Sequence, residues 1–262
     1  MTTQTSPAQS TASTRTAVVT GAASPRGIGR ATARRLASDG WAVAVLDLDG
    51  DASQATAEEL TDEFGVPARG FTADVTDEAS VDAAVAAVER DLPVIGGLAN
   101  IAGVTSPTRF FETTLEEWNR IMTINATGTY VVTKRVASVM RDNGYGRIVN
   151  MSSVSAIRGG GVFGGVPYSA AKAAILGFTR ALARELGPVG ITVNSVTPGV
   201  VDTDIRAGST TPELEAKLSA DVPVGRQATV HEIAALFAFL LREEAGYITG
   251  ATYDINGGSH IS

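Results

Sequence analysis

The sequence predicts an α/β fold: a doubly wound parallel sheet of seven strands with helices on both faces, formed as one domain. Three observations predict it. Short apolar runs alternate with longer helical stretches from Thr16 to Ile255, and that alternation implies parallel strands joined by right-handed crossovers. The first run ends in a glycine-rich turn, Gly21-Ala-Ala-Ser-Pro-Arg-Gly27-Ile-Gly29, which opens a helical stretch. The run Arg147 to Ser152 has a mostly apolar Ile-Val-Asn-Met centre, which fits a strand buried on both faces.

In order, Thr16 to Thr20 is a strand, followed by the glycine turn and a helix from Arg30 to Ser38. Glycines let a backbone approach a pyrophosphate and aim helix N-terminal amides at it. The second strand, Ala42 to Leu46, ends in Asp47, eighteen residues after Gly29, where a carboxylate meets the adenosine ribose hydroxyls of a bound dinucleotide. No Lys-Ser or Lys-Thr follows Gly27-Ile-Gly29, so phosphoryl transfer on a nucleotide triphosphatase loop is excluded. A helix from Asp51 to Phe64, a strand from Ala68 to Phe71, Asp74-Val75 and a helix from Glu78 to Arg90 repeat the pattern. The fourth strand, Gly97 to Asn100, runs into Ile-Ala-Gly103, small enough for close contact with a ligand. Thr114-Leu-Glu-Glu117 has the capping-box pattern and is expected to open one long helix to about Met140. Asn125 falls on its apolar face with Ile121 and Met122, so it is either a structural tie to a neighbouring helix or a water-binding group at a site. After the fifth strand comes a helix from about Tyr168 to Leu186, stopped by Gly187-Pro188. Ile191 to Val196 is the sixth strand, and its exit, Thr197 to Thr203, is again at a carboxyl end. Residues 204 to 227 break the alternation and are expected to form a substrate lid, with a short helix capped by Thr211 and Pro212. A helix from Thr229 to Arg242 and a strand from Ala251 to Ile255 complete the fold.

Composition limits the chemistry. The 262 residues are 44% hydrophobic and 19% charged, enough to bury a large core. A formal net charge of -7 argues against a nucleic-acid or anionic-membrane partner. The absence of cysteine removes disulfides, thiolate catalysis and cysteine-ligated metals. The two histidines, His231 and His260, come late in the chain and argue against a metal cluster or a serine hydrolase triad; no metal is expected. Residues 1–15 are rich in Thr, Ser, Gln and Ala and read as a disordered tail. With no secretory or membrane-spanning run, a cytoplasmic protein is expected.

The chemistry concentrates between Ser153 and Lys172, where a glycine-rich loop delivers Tyr168 and Lys172 to the start of a helix. Four residues apart, the two share a helix face. A free tyrosine titrates near 10 and is a poor base at neutral pH. An adjacent cation favours its phenolate, and a shift of roughly three units needs about 4 kcal/mol. Such a phenol can give a proton to a forming alkoxide or take one from an alcohol.

With these motifs assembled, residues 16 to 258 resemble a short-chain dehydrogenase/reductase of ordinary length. The resemblance rests on Thr20-Gly21 with Gly27-Ile-Gly29, Asp74-Val75, Asn100-Ile-Ala-Gly103, Asn125, Ser152-Ser153, Tyr168 with Lys172, Pro198-Gly199 to Thr203, and Asn256-Gly-Gly258. It implies a Rossmann fold and hydride transfer between a nicotinamide and a carbonyl carbon. By similarity Tyr168 is the proton donor or acceptor and Ser153 holds the reacting oxygen. Lys172 lowers the tyrosine pKa and binds the nicotinamide ribose, and Asn125 holds a relay water. Gly21, Arg26, Gly27, Ile28 and Gly29 surround the pyrophosphate, and Asp47 meets the adenosine ribose. Asp74 and Val75 flank the adenine, while Asn100, Ala102 and Gly103 lie along the adenosine side. Pro198, Gly199, Val201 and Thr203 anchor the carboxamide. A small-molecule substrate and a homotetramer are implied too, with the helices from Thr114 and Tyr168 meeting their copies across a dyad.

The chain departs from the family pattern in three places. Ser24-Pro25-Arg26 lengthens the first glycine loop by two residues. The serine-to-tyrosine loop is also two residues longer, so the strand end selects Ser153 whereas counting back from Tyr168 selects Ser155; the strand end is preferred. Ile101 replaces the second asparagine of the Asn-Asn-Ala-Gly motif, which shifts its role to the backbone. Asp47 would repel a 2′-phosphate and favours NAD, against Arg26, which would favour NADP. The leading expectation is therefore an NAD(H)-dependent interconversion of a secondary alcohol and a ketone. An NADPH-dependent 3-oxoacyl-thioester reductase, with Arg109, Arg158 and Arg206 as a carrier patch, is the alternative within enzymes. A non-catalytic dinucleotide sensor is the alternative outside them. The pocket walls are expected at Thr105, Ser106, Val154, Ile157, Val162 and Phe163.

Overall fold

A computed structural model describes residues 15–204 and 211–261. The predicted tail, except Arg15, and residues 205–210 of the predicted lid, Arg206 among them, lie outside the described residues.

Strands β1 (Thr16–Thr20), β2 (Ala42–Asp47), β3 (Ala68–Thr72), β4 (Ile95–Asn100), β5 (Gly146–Met151), β6 (Ile191–Pro198) and β7 (Thr252–Ile255) form one sheet in the order β3-β2-β1-β4-β5-β6-β7. Every pairing is parallel, as the sequence predicts. Helices α1 (Ile28–Ser38), α2 (Gly50–Phe64) and α9 (Val230–Leu241) pack on one face. Helices α3 (Glu78–Asp91), α5 (Gly128–Asp142) and α7 (Val166–Leu186) pack on the other. The two-residue period of a strand makes this division. Ala17 and Val19 of β1 belong to one buried cluster with Leu36, Leu60 and Phe237, whereas Val18 between them belongs to another with Val85, Val132 and Met140. The strand order reverses between β1 and β4, so the carboxyl ends there bound a crevice, the usual ligand position in open α/β sheets.

Local chemistry sets the helix starts. Asp49 accepts from Ala52 N and Asp77 from Ala79 N, while Thr229 and Glu232 make a reciprocal capping box on α9. In the first turn, Gly21 has φ +66°, and a Cβ on Gly29 would stand 2.1 Å from the Gly21 carbonyl oxygen. Strand, turn and helix close that tightly only with glycine at both positions.

The helix expected from Thr114 to Met140 is interrupted. Thr114 caps α4 (Leu115–Met122) by accepting from Glu117 N. The Glu117 carboxylate does not return to Thr114; it accepts from Ser106 Oγ and Thr108 Oγ1, both at 2.7 Å, so only half of the capping box forms. A π-helical turn, Thr123–Thr127, then links α4 to α5. Such turns arise from a residue inserted in a helix and recur at functional sites; this one carries Asn125.

Candidate active site

A cavity of about 660 Å³ lies along the carboxyl ends of β1, β2, β4, β5 and β6. It brings together Ser153, Tyr168, Lys172 and Asn125 with Gly21, Gly27, Ile28, Gly29, Asp47, Asp74, Val75, Ala102, Gly103, Pro198, Gly199, Val201 and Thr203. Two residues predicted at this site, Asn100 and Arg26, do not line it.

The turn leaving β5 and the start of α7 are tied twice. Ser152 Oγ donates to the Lys172 carbonyl at 2.8 Å, and Lys172 Nζ donates to the Met151 carbonyl at 2.9 Å. The Lys172 ammonium lies 5.7 Å from the Tyr168 ring centre. Its residue is 3% exposed, and burial pulls its pKa down to about 8. Burial pushes the Tyr168 phenol up, and a hydrogen bond with Ser153 opposes that shift. This differs from the expectation that Lys172 pulls the phenol down. Desolvation acts on both groups here, and the ammonium is directed at a backbone carbonyl.

The two candidate serines separate by their partners. Ser155, the first residue of the short helix α6 (Ser155–Arg158), donates its hydroxyl to the Gly160 carbonyl at 2.9 Å. Ser153 Oγ accepts from Ser155 N at 3.1 Å and meets the phenol. The extra glycines therefore hold Ser155 to the loop and leave Ser153 facing Tyr168. Gly159, Gly160 and Gly161 all have positive φ, which lets the longer loop fold back in place. The helix begins at Val166, two residues earlier than expected, with Pro167 in its first turn, so Tyr168 also sits within the first turn of α7.

Asn125 is fully buried. Its Nδ2 donates to the Val104 and Ile121 carbonyls, both at 3.0 Å, and its Oδ1 accepts from Val104 N at 3.3 Å. Both donors are used, leaving one acceptor lone pair for a water. The tie runs to the segment after β4 rather than to a neighbouring helix. A Cβ on Gly103 would fall 2.5 Å from that Oδ1 and 3.4 Å from Lys172 Nζ, so glycine keeps this corner open.

The dinucleotide end passes a test of fit. The N-terminus of α1 has no side-chain cap and no acidic residue in its first turn, whereas α2, α3, α4, α9 and α8 (Pro212–Ala220) all carry capping side chains. Bare amides at a glycine turn suit a pyrophosphate. Asp47 Oδ2 accepts from Ala23 N at 3.0 Å and Oδ1 from Leu48 N at 2.8 Å, which fixes the carboxylate in the cavity wall. Asp74 Oδ1 accepts from Thr76 N and Thr76 Oγ1, shaping the turn after β3. Thr20 Oγ1 accepts from Ile101 N and Ala102 N, so backbone amides do supply the support expected of the motif that Ile101 breaks.

Asn100 is a correction. It is 4% exposed, and its Nδ2 donates to Thr133 Oγ1 and Asn150 Oδ1, both at 2.8 Å, so it joins β4 to α5 and β5 beneath the cavity. Its strand position points it into the core. Arg26 is the second correction. Its Nη2 donates to Asp202 Oδ1 at 2.6 Å and its backbone N to Asp204 Oδ2 at 3.1 Å, which also accepts from Ser24 Oγ. The exposed guanidinium pairs with both Asp202 and Asp204, and Arg26 itself does not line the cavity. Of the expected walls, Thr105, Val154, Val162 and Phe163 line the cavity, while Ser106 and Ile157 do not. Arg109 is exposed and outside it; Arg158 lines it. Ser24, Thr76, Ile124 and Leu218 were missed. The loop insertion signals Ser24, but no local pattern marks Leu218 on α8.

A crevice at the reversal of strand order, lined by bare helix amides and the Tyr168–Lys172 pair, fits the class of oxidoreductases that use a nicotinamide dinucleotide. Comparison with known proteins gives the family. Residues 21–260 match the family described as enoyl-(acyl carrier protein) reductase. The chain is 43% identical to the short-chain type dehydrogenase/reductase y4mP of Sinorhizobium fredii over 94% of this chain and 98% of that protein. It is 39% identical to the 3-oxoacyl-[acyl-carrier-protein] reductase FabG of Aquifex aeolicus over 92% of this chain and 95% of that one. A crystal structure from Agrobacterium tumefaciens, provisionally assigned as a gluconate dehydrogenase, superposes with a TM-score of 0.87 at 30% identity, covering 94% of this chain and 95% of that one. The chain belongs to the short-chain dehydrogenase/reductase family.

Proposed function

We propose that this protein interconverts a secondary alcohol and a ketone with NAD(H), with Tyr168 as the general acid and base. The observation that carries the reading is the placement of Ser153, Tyr168 and Lys172 in the cavity that also holds the α1 N-terminus and Asp47. The bound dinucleotide supplies hydride in reduction and accepts it in oxidation. Ser153 donates a hydrogen bond to the substrate oxygen, and Tyr168 passes its phenolic proton to that oxygen or recovers it in the reverse direction. Lys172, fixed by the Met151 carbonyl, stabilises the phenolate once Tyr168 has lost its proton. Asn125 positions the Val104 backbone along the same wall.

Asp47 supports NAD over NADP, since a fixed carboxylate accepts ribose hydroxyls and repels a 2′-phosphate. The engagement of Arg26 by Asp202 and Asp204 removes the competing cation. Titrating NADH and NADPH into the purified protein is expected to show NADH binding about 10- to 100-fold tighter, the range for hydrogen bonds to a charged acceptor. Asp47→Asn should narrow that gap. Tighter NADPH binding by the unaltered protein would reject the NAD assignment. It would also favour reduction of 3-oxoacyl thioesters, the reading to which the likeness to FabG points.

Among the described residues no helix is long and apolar enough to cross a membrane, and we place the protein in the cytoplasm. Tyr130 on α5 is 44% exposed and packs edge-on against Phe178 of α7 at 6.3 Å. These helices fit a homotetramer, for which light scattering should return four times the 27.0 kDa chain mass. A monomer mass would refute it.

A further inference from the structure

The charges in the cavity wall are unevenly placed. Asp47 and Asp74 stand at the ends of β2 and β3, Asp204 is held by Ser24 and Arg26, and Lys172 is bound to the Met151 carbonyl. Arg158 differs from all of them. It is the last residue of α6, and its only side-chain hydrogen bond among the described residues is from Nη1 to the Ser259 carbonyl at 3.3 Å. It makes no ion pair among the described residues. Val154, Gly160, Gly161, Val162 and Phe163 line the same cavity. Gly159, Gly160 and Gly161, all at positive φ, turn the chain back over it, so that a Cβ on Gly161 would lie 3.8 Å from Arg158 Nη2. An exposed guanidinium in the cavity lining, with no ion pair among the described residues, is suited to a bidentate oxygen anion. Ser153, five residues before it, lines the same cavity.

We propose that Arg158 is a substrate-recognition residue that binds an anionic oxygen group, a carboxylate carried by the substrate itself, and that the preferred substrates are hydroxy or oxo acids. The proposal rests on the hydride-transfer reading above and specifies the substrate class of that site. A carboxylate is favoured over the phosphate of a thioester carrier because Arg158, exposed like Arg109, lines the cavity that holds Ser153 and Tyr168, whereas Arg109 lies outside it.

The test pairs a set of oxo acids with their methyl esters, with NADH, on wild type, Arg158→Met and Arg158→Lys. Wild type should prefer each acid by at least about tenfold in kcat/KM. Arg158→Met should lose about 10- to 100-fold on the acids, mainly through KM, and change little on the esters. Arg158→Lys should recover part of the loss, and added salt should shrink the preference. Equal use of acid and ester by wild type, or an equal loss on both in Arg158→Met, would overturn the proposal. So would a preference for coenzyme A thioesters over N-acetylcysteamine thioesters that disappears in Arg158→Met without any preference for free acids, which would assign the residue to a carrier phosphate. A second measurement needs no turnover: the thermal shift of the NADH complex with hexanoate and with hexanamide. Arg158-dependent stabilisation by hexanoate alone, without turnover of any ketone, would keep the anion site and reject the hydride-transfer reading. Equal shifts in wild type and Arg158→Met would reject the anion site whatever the turnover.

Discussion

Tyr168→Phe is expected to lower kcat by about 10³- to 10⁴-fold in both directions while leaving NADH affinity within about twofold. The phenol hydroxyl is the atom removed, and the ring stays to fill the same space in the first turn of α7. The pH profiles should separate this from a packing defect. In the wild type, burial holds the Tyr168 phenol above its usual range and the Ser153 hydrogen bond pulls it partly back. Alcohol oxidation needs the phenolate, so below the controlling pKa its rate should climb about tenfold per pH unit, whereas ketone reduction uses the phenol and should be flat there. The variant should lose the slope with the rate. Unchanged turnover would remove Tyr168 from the chemistry, and a wild type that binds NADH without turning over any carbonyl would favour the sensor reading.

Lys172→Met is expected to make the protein less active and more stable. The loss in kcat should be about a hundredfold or more, because the buried cation that stabilises the phenolate is gone. The gain in stability follows from the pKa of about 8 in the fold against 10.5 for the ordinary group. Below about pH 8 the fold holds a proton on a buried amine, a penalty of about 3 kcal/mol relative to the neutral form. Methionine removes that penalty. Losing the hydrogen bond to the Met151 carbonyl returns about 1 kcal/mol, so Tm at pH 7 should rise by about 4–8 °C. The pH window is set by the same two values. Between about 8 and 10.5 the unfolded chain binds the proton and the folded chain does not, so wild-type stability rises with pH. The advantage of the variant should therefore shrink above pH 8 and largely vanish by pH 10.5. A difference in Tm that is the same at pH 7 and pH 10 would mean that Lys172 is not held at a penalty.

What could be read in the sequence was whatever follows from local geometry. Gly21, Gly27 and Gly29 are legible because a strand-to-helix turn this tight excludes side chains, and Tyr168 and Lys172 because four residues bring them to one face. The seven-strand alternation is legible because strands buried on both faces are short apolar runs between amphipathic helices. The misreadings depend on contacts between distant segments. Arg26 looks like a free cation until Asp202 and Asp204, more than 170 positions away, are folded against it. Asn100 belongs to a motif that borders the cavity, yet its partners Thr133 and Asn150 lie in the layer beneath. Glu117 matched a capping box, but two hydroxyls from the segment after β4 compete for its carboxylate. The strand end favours Ser153 over Ser155 in the sequence, and the hydrogen bond of Ser155 to the Gly160 carbonyl adds a reason that only the folded loop supplies.

The turn that carries Asn125 acts as a change of phase within one rod. An extra residue rotates everything beyond it by about 100° about the helix axis. The stretch before it, α4, lies against α7, whereas α5 beyond it lies mainly against α3 and the sheet and touches α7 through Tyr130. A uniform helix from Thr114 would keep one apolar stripe in line along its length, and the stripe that serves α7 would miss the sheet. The offset lets a single rod address two neighbours at different angles. It also means that deleting one residue between Thr123 and Thr127 would act at a distance, swinging Val131, Val132 and Val136 out of line with the core they fill.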